Sequence, residues 1–157
     1  MIPEFASKTP VIILEKMNLL LAALRLSWSD FEKTAWTISN KQLRYTLLGL
    51  AQESRQYANE IKSHIESLGG DTSSPAEDPG YDFSGLSDKK EWEIRPERDL
   101  FRKSGTLGNL LIESYAKLLE EPIIYEGLKE RVRYQLNGLL HLFSQLSLLN
   151  ASMEREA

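Results

Sequence analysis

VIILEKMNLLLAALRLSWSDFEKTAWTI, residues 11–38, is the stretch whose reading decides the fold class. Its apolar positions Leu14, Met17, Leu21, Leu24, Trp28, Phe31, Ala35 and Ile38 recur in alternating steps of three and four residues. An α-helix gathers such positions into one stripe, whereas a strand, with a period of two, would scatter them over both faces. The stretch is therefore a long amphipathic helix with a seam sustained over more than three heptads. Thr9 as N-cap and Pro10 at the first helical position are expected to open it.

The same logic extends along the chain. Ser39 or Asn40 offers a cap for a second periodic run through Leu43, Leu47, Leu50, Ser54, Tyr57, Ile61, His64 or Ile65, and Leu68, which stops at Gly69-Gly70. So short a junction between the first two helices implies an antiparallel hairpin. From Asp71 to about residue 86 the chain turns polar and rich in breakers, with Pro75, Pro79 and Gly80. Tyr81, Phe83, Leu86 and Trp92 follow, with a short helix expected around Asp88 to Arg95 over one end of the bundle. A third helix, from Pro96, carries Leu100, Ser104, Leu107, Leu111, Ser114 and Leu118 and ends at Pro122; a fourth carries Leu128, Val132, Gln135, Leu139, Leu142, Leu146 and Leu149. The expected fold is all-α, an antiparallel four-helix bundle with one long crossover between helices two and three. Residues 1–9 are expected as a disordered or vector-derived leader, 10–150 as the bundle and 151–157 as a frayed tail.

Composition narrows the partners. A chain of 157 residues, 41% apolar and 27% charged, is long enough to bury a core without staples. A net charge of −4 argues against nucleic acid or anionic lipid, since both reward a basic face. The absence of cysteine removes disulfides, thiolate metal sites and cysteine nucleophiles together. The longest apolar candidate, Val11 to Leu26, is interrupted by Glu15, Lys16, Asn18 and Arg25 and falls short of a membrane span. The start of the chain shows no secretory leader, so a cytoplasmic location is expected.

Within the second helix, Gln52-Glu53-Ser54-Arg55-Gln56-Tyr57-Ala58-Asn59-Glu60-Ile61 followed by Ile65-Glu66-Ser67-Leu68-Gly69-Gly70 resembles one bacterial ferritin-like family. That family is known as a domain of unknown function and is allied to the YciE/YciF stress-associated proteins. Ser114-Tyr115 with Leu118-Leu119 and Pro122 resembles the end of its third helix, and His141 with Leu146 its last. The resemblance implies a ferritin-like four-helix bundle and a link to stress physiology; it brings no settled activity.

A ferritin-like di-iron centre takes about four carboxylates and two histidines, two helices each supplying a Glu-x-x-His pair. The two histidines here, His64 and His141, are preceded at that spacing by Ile61 and Gly138. Glu53 is followed three residues on by Gln56, and Gly105 and Gly108 stand where the family's third helix carries glutamates. Ser54, Ser104, Ser114 and Gln135 fill core slots and are expected to satisfy their hydrogen bonds internally, while Asp30 and Glu32 flank the first seam.

The remaining metal candidates are Glu53, Glu60, His64 and His141; Glu60 and His64, one helical turn apart, suit zinc, iron or another divalent ion aided by a neighbouring helix. The bland reading is a solvated flank, with His141 bonded to another helix. Trp28, Trp36 and Trp92 are expected as core aromatics. Leu136, Leu140 and Phe143 give the fourth helix more apolar circumference than one core face needs, which predicts a second contact.

The expectation is a non-catalytic ferritin-like bundle without cofactor, acting through a protein partner or as a homodimer. The alternatives are a metal-binding oxidoreductase or storage protein, and a small-molecule carrier opening around Trp28 and Tyr115.

Overall fold

The computed structural model describes residues 9–72 and 97–156. Residues 1–8 of the expected 1–9 leader, most of the crossing segment and the short helix with Trp92 lie outside the described residues, whereas Thr9 is buried. Four helices follow in order: α1 Val11–Thr37, α2 Lys41–Ser67, α3 Glu97–Leu119 and α4 Glu126–Glu156. No strand occurs among the described residues. Nor is any helix among them long and apolar enough to cross a membrane.

Local chemistry accounts for the helix ends. At the start of α1 the expected Thr9 cap is corrected. Pro10 takes the cap position with an extended ψ of 138° and no side-chain cap bond forms. The Thr9 hydroxyl is engaged elsewhere, sharing a 2.9 Å hydrogen bond with Tyr125 Oη in the α3–α4 turn. Asn40 rather than Ser39 caps α2, its Oδ1 accepting from the Leu43 N–H at 3.0 Å. Arg44 reaches back to donate to the carbonyls of Ala35 and Ile38 at the end of α1, at 3.1 and 2.7 Å. Gly69 adopts φ +83°, its N–H donating to Glu66 O and that of Gly70 to Ile65 O, the paired bonds of a Schellman motif. Helix α4 runs on past Asn150, where the sequence reading closed the bundle.

Helix α1 packs on α2 and α3, and α4 packs on the same two. Early α1 meets the end of α3, where Lys16 Nζ donates to the Lys117 carbonyl and pairs with Glu121. Late α1 meets the start of α3, through Asp30, Thr34 and Ser104. Between α2 and α4, Tyr57 lies against Gly138 and Gly49 faces Leu142; between α3 and α4, Gly108 lies under the Phe143 ring.

The core follows the sequence seams, with adjustments at their margins. Ile65 is buried and His64 is not. Leu14 and Trp28 sit at the margin, while Ile13, Leu20, Ser27, Asp30 and Thr34 are buried. The physical reason is that α1 touches two neighbours, so its buried arc is wider than a two-position seam. Phe143 and Leu136 are taken up by the core, Phe143 edge-on to Phe31 at 5.9 Å, which leaves Leu140 exposed. Trp36, expected in the core, is 64% exposed beneath the Arg44 guanidinium.

Candidate functional site

One run of interior polar groups among the described residues links α3, α4 and α2. Tyr115, fully buried on α3, donates its hydroxyl to Gln135 Oε1 on α4 at 2.9 Å. The Gln135 amide nitrogen donates in turn to Glu60 Oε2 on α2 at 3.4 Å. The other Glu60 oxygen lies 3.8 Å from the Arg131 guanidinium, half in solvent. The result is a chain of bonds from a dry phenol to a surface ion pair. Burying Gln135 is tolerable because both ends of its amide are used.

Tyr57 runs beside this chain. Its hydroxyl lies over Gly138, where a Cβ would stand 2.4 Å from it, and the Glu53 carboxylate is a neighbour one turn back. Glycine is needed there because the phenol occupies the space of a side chain. Burial, then the Glu53 carboxylate, holds the Tyr57 phenol far above its ordinary pKa. Burial likewise raises Tyr115, with the neighbouring Tyr57 and Glu60 adding to it.

The solvent side of this network is a polar groove whose walls include Gln56, Asn59, Glu60, Ser63, His64 and Arg131. Glu60 and His64 therefore share one groove, as their spacing implied. Arg131 places a positive charge on the Glu60 carboxylate that a cation would have to displace. Glu53 lies beside Tyr57, and Glu32 is exposed on α1. His141 is corrected: it is exposed, and its ring bonds Gln145 of its own helix at 3.3 Å rather than another helix. Its position lies just off the buried Leu139–Leu146 arc, far enough round α4 to face solvent. Among the described residues no three His, Asp or Glu side chains converge as a metal would require.

A second polar cluster was not legible as such. Asp30, placed beside the seam by the sequence, is buried, and Ser104 Oγ donates to its Oδ2 at 3.1 Å. The same hydroxyl shares a 3.2 Å hydrogen bond with Thr34 Oγ1. Ser27, Asp30 and Thr34 stand at i, i+3 and i+7, a polar stripe readable only once α3 is known to cover it. Ser114 bonds the Leu110 carbonyl as expected. Ser54 is corrected: its buried Oγ makes no hydrogen bond, nor does that of Ser27.

Trp28 stacks under the Arg55 guanidinium at 5.0 Å, on the outside of the α1–α2 pair. A second groove, between α3 and α4, is lined by Gly108 and Phe143 together with Gly105, Ile112, Leu140 and Ser147. Trp28 and Tyr115 line neither groove. No protein-family model matches the chain, and comparison with curated proteins finds no match.

Proposed function

We propose that the protein is a ferritin-like bundle that has no complete di-iron centre and acts by associating with another protein, in the cytoplasm of a bacterium and in a stress setting. In this reading neighbouring helices run antiparallel and one long crossover joins α2 to α3. The supporting pairs are Lys16 with Lys117 against Asp30 with Ser104, and Glu60 with Gln135 against Gly49 with Leu142. The stress setting rests on the second-helix resemblance alone.

One observation carries the non-catalytic reading. Among the described residues the buried polar side chains of α2, α3 and α4 are the hydroxyls of Ser54, Ser104 and Ser114 and the Gln135 amide, with the Tyr57 and Tyr115 phenols beside them, and the one buried carboxylate is Asp30 on α1, which accepts from Ser104. Two iron ions bring several positive charges into a bundle, and neutral hydroxyls, an amide and a single carboxylate do not offset them. Glu53 and Glu60 lie on the α2 flank, beside Tyr57 and Arg131 respectively.

Anaerobic Fe(II) titration followed by oxygen tests the reading. The expected result is no stoichiometric binding and no ferroxidase-type absorbance change. Tight uptake of about two iron ions per chain, lost on Glu53→Ala, would overturn it in favour of an iron oxidoreductase or storage protein.

A further inference from the structure

Large apolar side chains are left exposed near the α1–α2 turn (Trp36 and Tyr45), along α4 (Tyr134, Leu140 and Leu148) and where the start of α1 meets the α3–α4 turn. Val11 (68% exposed), Ile12 (41%), Ile123 (54%) and Tyr125 (36%) gather at one end of the bundle. Val11 and Ile12 begin α1, and Ile123 and Tyr125 lie in the α3–α4 turn. The Thr9–Tyr125 bond and the grip of Lys16 on Lys117 and Glu121 hold the two segments together. The patch therefore sits on a braced surface rather than on a loose loop. Exposed apolar residues occurring singly need no explanation, but a cluster of four on a braced surface marks a contact site.

The charges around it select the occupant. Glu15, Glu120, Glu121 and Glu126 lie in sequence beside the four apolar residues, against Lys16, Lys129 and Lys117, the last paired with Glu113 at 3.6 Å. Lys16 is already spent on Glu121, and Glu15, Glu120 and Glu126 face solvent. An acidic rim around an apolar centre repels anionic lipid. It also repels a second copy of itself, which would bring the same carboxylates face to face. We infer that this end of the bundle is the docking surface for a basic segment of another protein, one that inserts aliphatic or aromatic anchors between Val11 and Ile123 and sets Lys or Arg against Glu15, Glu120 and Glu126. The inference rests on the association reading above and gives it a surface and a partner chemistry.

Selection of peptides from a random-sequence display library on the full chain tests it, the winners then being titrated against the wild type and the Val11→Ser/Ile123→Ser variant. Both positions are exposed, so the variant should keep the wild-type melting curve, to be checked by circular dichroism. The expected winners carry Leu, Ile, Phe or Trp flanked by Lys or Arg. Their affinity should fall about tenfold or more in the variant and in raised salt, yet hold in Leu148→Ser, which removes an exposed leucine from the outer face of α4. Winners that bind variant and wild type alike, or that are net acidic, would overturn the inference. So would a wild-type dimer in light scattering that the variant dissolves, because a second copy would then hold the patch. Iron oxidation by the wild-type chain would instead remove the association reading itself, and the two failures stay distinguishable.

Discussion

Gly105 and Gly108 stand three residues apart on α3, and only their surroundings tell them apart. A Cβ on Gly108 would lie 2.8 Å from Phe143 Cε1 and 3.0 Å from Cζ, with the ring wedged towards Phe31. A Cβ on Gly105 would meet nothing within 4 Å. Alanine favours the helix by about 1 kcal/mol over glycine at either position. At Gly105 that gain should appear undiminished. At Gly108 the displaced ring should reverse it, for a net loss of about 1–2 kcal/mol. Chemical denaturation of Gly105→Ala and Gly108→Ala measures both, and a gain at Gly108 would mean that the ring moves freely.

Among elements, the α1–α2 hairpin is bonded on both sides of its turn. Asn40 caps one helix while Arg44 satisfies the end of the other. The two functions are separable because the Asn40 bond is local to α2. Asn40→Ala should cost about 1 kcal/mol of stability with no change in helix content by circular dichroism. The opposite corner is braced differently, by Lys16 across α1 and α3 and by Thr9 with Tyr125. These bonds give the apolar end its rigidity, so the docking surface depends on contacts made far along the chain from Val11.

For the whole molecule, the tyrosines govern behaviour in alkali. In the folded protein Tyr57 and Tyr115 are raised above the ordinary phenol value, chiefly by burial. A group raised on folding stabilises fully below its unfolded pKa, and that contribution is lost as pH climbs towards the folded value. Stability should therefore hold up to about pH 10, the unfolded phenol value, and decline beyond it. Two of the chain's six tyrosines should resist ionisation until the bundle opens, read as a delayed phase in phenolate absorbance. The Tyr57→Phe/Tyr115→Phe variant should lose that phase. If the wild-type absorbance showed no delayed phase, the buried network would not exist in solution.

Periodicity and caps are local properties, and the sequence by itself determined what depends on them. The four helices, the burial of Leu107, Leu111 and Leu118 on α3 and of Val132, Gln135 and Leu139 on α4, and the stop at Gly69-Gly70 follow from residues within a few turns of one another. Tertiary structure alone decided which helix each flank faces. It buried Asp30 and Thr34 under Ser104, chose Ile65 over His64, turned Trp36 and His141 outward, and set Arg131 on Glu60. It also brought Tyr125 to Thr9, partners 116 residues apart, and so assembled the apolar end. A helical pattern specifies the angle of a side chain about its own axis, whereas its environment depends on which distant segment packs against that angle.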